Sequence, residues 1–116
     1  MFAKHESRDD QEFIFEIAAA DVARACIDVL NQLGTVKKIS KETGIINGEV
    51  SNGITNPSVT TIRISQISEN KTKLIVKMVR REGLITPRIG AQDNMARFAS
   101  VLYQHPDIKG KTISGW

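Results

Sequence analysis

The stretch from Thr60 to Arg81 (TTIRISQISENKTKLIVKMVRR) constrains the fold more than any other part of the chain, because two alternating runs face each other across a short polar turn. Side chains alternate between the two faces of a strand. One face of this stretch is apolar and holds Ile62, Ile64, Leu74, Val76 and Met78. The other face is polar and basic with apolar interruptions. The pattern predicts a β-hairpin that packs one face on a core and turns the other toward solvent.

The register of this hairpin follows from its apolar face. Ile64 must point to the same side of the sheet as Leu74 and Val76. A shift of one residue would turn every side chain of a strand to the opposite face. The turn near Glu69 to Lys71 is therefore predicted to leave an odd number of unpaired residues.

Two segments have the spacing of amphipathic helices. Apolar residues recur at spacings of 4, 3 and 4 in each, which is the period of one helical face. The first stripe consists of Val22, Cys26, Val29 and Leu33, and the second of Ala91, Met95, Phe98 and Leu102. Gly34 stands where a left-handed residue would end the first helix, and Pro106 follows the second. Both helices are predicted to cover a sheet with one apolar face each.

Further strands are predicted before and after the first helix. Residues 12–18 (EFIFEIA) alternate and contain two bulky aromatic side chains, which favours a strand. Residues 35–50 (TVKKISKETGIINGEV) indicate two short strands joined through Lys41 to Gly44. Val36 and Ile39 fall on opposite faces, which is typical of a β-bulge or an edge strand. The order β-α-β-β-β-β-α predicts a two-layer α+β fold, with an antiparallel sheet of about five strands and both helices on one face.

A chain of 116 residues is expected to form one domain. We predict a disordered N-terminus at residues 1–11, a single domain at 12–105 and a basic tail at 106–116. The start of the chain lacks the apolar core of a secretory signal, and no apolar run approaches the roughly 20 residues of a membrane span. The chain as given is therefore expected to be cytoplasmic, while envelope association of a longer precursor stays open.

The predicted order of elements resembles the TBP-like and helix-grip group. The run VLNQLGTVKKISKETGIINGEV is similar to small domains of unknown function related to the repeats of the outer-membrane-assembly lipoprotein C. It contains a helix ending at Leu33-Gly34 and a strand that starts at Gly44-Ile45-Ile46. The resemblance covers residues 12 to 104 and implies an α+β fold, and no catalytic residue accompanies it.

The chain shows no recognisable catalytic or metal-binding pattern. Cys26 is the only cysteine and lies on the apolar stripe of the first helix, so it is interpreted as a packing residue. His5 lies in the predicted disordered N-terminus, and His105 has no His, Cys or carboxylate at the spacing of a metal-binding helix face. No nucleophile elbow or phosphate-binding loop is present. The sequence thus predicts a protein that is not an enzyme, with no cofactor and no metal.

Two groups of residues are candidates for a binding surface. The residues from 35 to 116 are basic, and a candidate basic surface lies on the outer face of the hairpin and in the next loop. It consists of Arg63, Lys73, Lys77, Arg81 and Arg88. The second candidate is an apolar pocket between the helices and the sheet. It consists of Phe13, Phe15, Ile62, Ile64, Val76, Met78, Met95 and Phe98.

Three functions follow from these surfaces. The first hypothesis is a non-catalytic interaction domain that binds an unknown protein or itself through a sheet edge or the outer sheet face. The alternative is a domain that binds a small, apolar, lipid-like ligand between helices and sheet. The third is weak binding of nucleic acid or another anion by the basic face. Nucleic acid is disfavoured as a partner, because no aromatic side chain of the predicted hairpin offers a surface for base stacking.

Overall fold

The computed structural model describes residues 5–51, 57–82 and 90–109. Its elements are β1 (His5–Phe15), α1 (Ala19–Leu33), β2 (Gly34–Ser40), β3 (Ile45–Val50), β4 (Ser58–Ser68), β5 (Lys71–Glu82) and α2 (Ala91–Gln104). The strands form a five-stranded sheet in the order β1-β5-β4-β3-β2, and all neighbouring strands are antiparallel. The predicted α+β fold with its five strands and two helices is confirmed.

The core lies between the two helices and one face of the sheet. α2 contacts β1 and β5, whereas α1 contacts β2 to β5. Both predicted helix stripes are buried except for Leu33, which is only partly buried. Asn94 fixes the start of α2 to the sheet, because its Nδ2 donates to Ser58 Oγ at 2.7 Å. Among the described residues, neither helix is long and apolar enough to cross a bilayer.

The hairpin has the predicted register. Ile64 pairs with Leu74 and Ile62 with Val76, and all four side chains face the helices. Glu69 and Asn70 form a two-residue turn, and a β-bulge between Gln66 and Ser68 leaves Ile67 without a partner. Three residues are therefore unpaired, the odd number that the apolar pattern requires.

β2 is the irregular edge strand that the sequence predicts. A register shift between Val36 and Lys38 lets both Val36 and Ile39 pair with residues of the inner face. Gly34 differs from the prediction, because its φ of −179° is extended and not left-handed. A Cβ at Gly34 would clash with the carbonyl oxygen of Glu49. Close approach between β2 and β3 thus explains the glycine.

The predicted ends of the domain differ from the structure. Residues 5–11, expected to be disordered, form the first part of β1 and pair with residues 76–82 of β5. Most of the described side chains of this polar segment are exposed. Backbone pairing with β5, and not burial of side chains, therefore holds the segment on the sheet. At the other end, Ile108 of the predicted tail is fully buried in the core. Residues 1–4 and 110–116 lie outside the described part of the chain.

Candidate functional site

A groove of about 640 Å³ opens between the first half of α1 and the end of the sheet where β2 turns into β3. Its lining combines seven apolar residues, six polar or charged residues and one glycine. The lining consists of Ala19, Ala20, Ala23, Arg24, Ile27, Ile39, Ser40, Lys41, Glu42, Thr43, Gly44, Ile46, Ile64 and Gln66. The groove thus has an apolar interior and polar groups around its mouth.

The helical wall of the groove is made of small side chains. Ala19, Ala20 and Ala23 lie on the first turns of α1, and Ile27 follows one turn later. A methyl group extends only a short distance from the helix, so this part of α1 leaves the space over the sheet edge open. The side of α1 that carries Val22, Cys26 and Val29 is fully packed. The groove therefore follows from a change in side-chain size around one helix.

The sheet wall of the groove is made of three isoleucines on adjacent strands. Ile46 of β3 is buried, Ile64 of β4 is half-buried, and Ile39 of β2 remains 46% exposed. Ile39 pairs with Ile46 across the two strands. The three isoleucines line one recess, so the exposed part of Ile39 belongs to a larger apolar surface and is not a single scattered side chain.

The turn between β2 and β3 closes one end of the groove. The N–H of Gly44 donates to the carbonyl of Ser40 at 3.0 Å, and the N–H of Ile64 donates to the carbonyl of Gly44 at 2.8 Å. Thr43 Oγ1 donates to Ser40 Oγ at 2.8 Å. Gly44 has a φ of 71°, in the left-handed region that favours glycine. These bonds hold the turn against β4.

Gly44→Ala is expected to destabilise the protein by about 1–3 kcal/mol. Its Cβ would lie 2.5 Å from the carbonyl oxygen of Ile64, and its positive φ would be strained. Urea denaturation followed by circular dichroism measures the change. Lys41→Ala in the same turn is the control and should change stability by less than about 0.5 kcal/mol. Equal midpoints for both variants would show that the turn can leave β4 at little cost.

Charged groups at the mouth of the groove come from α1 and the turn. Arg24 Nη2 lies 3.1 Å from Asp21 Oδ1, one turn earlier on the helix. Lys41 and Glu42 are exposed, and neither forms an ion pair with another described residue. Asp21 does not line the groove. The charged residues of the lining are therefore two cations, Arg24 and Lys41, and one carboxylate, Glu42.

The eight residues of the predicted apolar pocket lie together, but in the packed core. Seven of them are buried, at 0–5% exposure. Only Ile64 is partly buried, and it alone of the eight lines the groove. The pocket therefore stays a prediction, while the open apolar space lies beyond Ile64 toward the start of α1.

The described residues of the predicted basic surface lie on the outer face of the sheet, where β1 places carboxylates beside them. Lys73 Nζ lies 3.5 Å from Glu12 Oε1, and Lys77 pairs in register with Asp10. Arg63 is exposed on β4. The side chains of Arg81 and Arg88 lie outside the described residues. Anion binding stays a prediction for this face, which is less positive than the hairpin sequence suggests.

Cys26 and His105 both have a structural role, in the core and at the contact between the two helices. Complete burial raises the pKa of the Cys26 thiol from 9.0 to about 12. His105 Nδ1 accepts the N–H of Asp107 at 3.1 Å, so its Nε2 carries the proton and lies 2.9 Å from Asp28 Oδ2. This bond joins the end of α2 to α1. Within residues 5–51, 57–82 and 90–109, no group of three or more His, Cys, Asp or Glu could hold a metal ion.

No protein-family model matches the chain, and none of the curated proteins matches it in sequence. The predicted resemblance to the lipoprotein C repeats and the predicted cytoplasmic location stay predictions. Similarity is found among solved structures.

A norcoclaurine synthase point mutant from Thalictrum flavum, in complex with a transition state analogue, has a TM-score of 0.58 at 9% identity. The match covers 90% of this chain and 96% of that chain. A protein of unknown function from Staphylococcus aureus has a TM-score of 0.51 at 9% identity, with 87% and 96% covered. At these identities the likeness shows the fold alone.

The prediction that the chain is not an enzyme is wrong. The finding that overturns it is the structural match to norcoclaurine synthase, because a synthase is built on the same fold. The lack of a recognisable catalytic motif in the sequence therefore does not exclude catalysis in this fold. The comparisons, together with the five-stranded sheet and its two helices, show an α+β fold of the helix-grip type.

Proposed function

We propose that this protein binds a small apolar ligand in the groove between α1 and the β2–β3 turn. The observation that carries the proposal is Ile39, which is 46% exposed within a recess that holds six further apolar side chains. Covering this surface with a ligand would remove it from water, at about 25 cal/mol per Å² of apolar area. A volume of about 640 Å³ falls within the range of roughly 300–1,000 Å³ typical of ligand sites.

The fold comparison also supports a ligand. The norcoclaurine synthase that shares the fold was solved with a transition state analogue bound. A helix-grip domain can therefore accommodate a small organic molecule. The wall of α1 in this chain has three alanines along its first turns, which leaves room for such a molecule without displacing the core.

Ala23→Trp is expected to abolish ligand binding while the protein stays folded. The indole would fill the groove from the helical wall, where Ala23 is only partly buried. Native mass spectrometry of freshly purified protein should show a bound small molecule in the parent and none in the variant. Ala96→Trp is the matched control, because Ala96 is exposed on the other helix. A bare chain mass for the parent, or equal occupancy in both variants, contradicts a ligand in the groove.

Self-association is a second candidate function, favoured by the outer face of the sheet. No helix of the described residues covers this face, and Val59 on it is 56% exposed. β1 and β2 are edge strands of the sheet. Size-exclusion chromatography with light scattering over a concentration series tests this function. A rise in mass that Val59→Lys removes supports it, whereas a monomer at every concentration contradicts it.

A further inference from the structure

The apolar lining of the groove is aliphatic throughout. Its seven apolar residues are alanine and isoleucine, and none of the fourteen lining residues is aromatic. Aromatic ligands gain affinity from stacked or edge-to-face contacts with protein rings, and these require aromatic side chains in the wall. Methyl and branched aliphatic groups offer contact area without that geometry. The lining therefore suits an alkyl chain better than a ring system.

The polar lining lies in three places. Arg24 is on α1, Gln66 is on β4, and the other four residues are at the end of β2 and in the β2–β3 turn. Arg24 donates a hydrogen bond from Nη2 to Asp21 Oδ1, and a guanidinium has five N–H donors. No carboxylate of the described residues lies within ion-pair distance of the Lys41 ammonium. Glu42 is the only carboxylate in the lining, against the two cations. Asp21, outside the lining, offsets the charge of Arg24. The Lys41 ammonium is thus the unpaired cation of the lining and the group that would attract an anion to the mouth.

The two parts of the lining together define an amphipathic site. We infer that the ligand is an amphiphile with one alkyl chain and a compact anionic head group, such as a carboxylate. The inference rests on the proposed function. The chain lies along the alanines of α1 and the isoleucines of the sheet, and the head group lies at the mouth near Lys41 and Arg24.

Isothermal titration with three monomeric decyl amphiphiles tests the head group. Decanoate should bind more tightly than decyl maltoside, and decyltrimethylammonium should bind most weakly. Lys41→Glu should weaken decanoate binding by about three- to tenfold, in line with a partly exposed ion pair, and should strengthen binding of the ammonium compound. Lys38→Glu is the matched control, because Lys38 is exposed on β2 and does not line the groove.

A chain-length series tests the alkyl part. Octanoate, decanoate and dodecanoate should gain about fourfold in affinity for each added methylene, the value for burial of one CH₂. 2-Naphthoate, with the same head group on rings, should bind more weakly than decanoate. Ala23→Trp should remove binding of all these compounds.

The outcomes separate this inference from the proposed function. Equal affinities for the three head groups, or an unchanged preference in Lys41→Glu, would overturn the anionic head group. Tighter binding of 2-naphthoate than of decanoate would overturn the alkyl chain. In either case, loss of binding in Ala23→Trp would still support a ligand in the groove. Failure of every compound to bind would count against both.

Discussion

Val76→Asp is expected to unfold the protein. Val76 is fully buried in the centre of the sheet, between Gln11 of β1 and Ile62 of β4 in register, and faces the two helices. Burying a carboxylate without a partner costs several kcal/mol, which is comparable to the total stability of about 5–15 kcal/mol of a small domain. Loss of the dispersed amide signals in a proton–nitrogen correlation spectrum measures the outcome.

Ser65→Asp provides the control for this experiment. Ser65 is exposed on the outer face of the same hairpin and pairs with Lys73, so a carboxylate there stays in water beside a cation. Its stability should stay within about 0.5 kcal/mol of the parent. A cooperative, folded Val76→Asp protein would contradict the assignment of the inner face of the hairpin to the core.

Phe98→Ala is expected to destabilise the protein by about 3–5 kcal/mol. Phe98 is fully buried on α2 and belongs to the single cluster that joins both helices to the sheet. Removing its ring takes apolar area out of the core and leaves a cavity that the sheet cannot close. Urea denaturation should show a lower midpoint at an unchanged slope, as expected for a loss of stability alone.

Tyr103 on the same helix is the comparison for Phe98. Tyr103 is 39% exposed, and its ring makes edge-to-face contacts with Phe13 and Phe15, at centroid distances of 5.9 and 6.3 Å. Tyr103→Ala should therefore cost less than Phe98→Ala, because no enclosed cavity forms. A larger loss for Tyr103→Ala would show that the contact of α2 with Phe13 and Phe15 outweighs the burial of Phe98.

The parts of the fold that could be predicted are those in which burial imposes a pattern. The 4, 3 and 4 spacing around Phe98 is found as a buried face of α2, and the apolar face of the hairpin is found in its predicted register. The mismatch of Val36 and Ile39 correctly indicated a bulge on an edge strand. In each case apolar residues recur with the period of a helix or a strand and mark the face that is buried.

β1 shows where this reasoning fails. Residues 5–11 carry no apolar alternation, because hydrogen bonds to β5 hold them and most of their described side chains remain in solvent. Backbone hydrogen bonds are the same for every residue type except proline, so they leave no period in the sequence. The predicted basic face was too positive for the same reason. Asp10 was assigned to the disordered N-terminus, but it pairs with Lys77, and Glu12 lies beside Lys73.

The groove could not be predicted from apolar patterning, because it results from side chains that are too small to fill the space between α1 and the sheet. Ala19, Ala20 and Ala23 fit a helical face as well as larger residues would, and only the distance to the sheet shows that they leave space. The run of three alanines at residues 18–20 is the signal that was available. The sequence did predict Ile64 as a pocket residue, and it is the point where the predicted pocket and the groove meet.

The pairing of β1 with β5 joins the two ends of the sheet-forming sequence. Phe15 meets Thr72 and His5 meets Glu82, so every contact of this pair closes a loop of more than fifty residues. On the ribosome, α1 and the β2–β3 hairpin are complete long before β5 exists. Loop-closure entropy makes such distant pairing slow. Because β1 pairs with β5, it has no neighbouring strand until the last strand of the sheet has been synthesised.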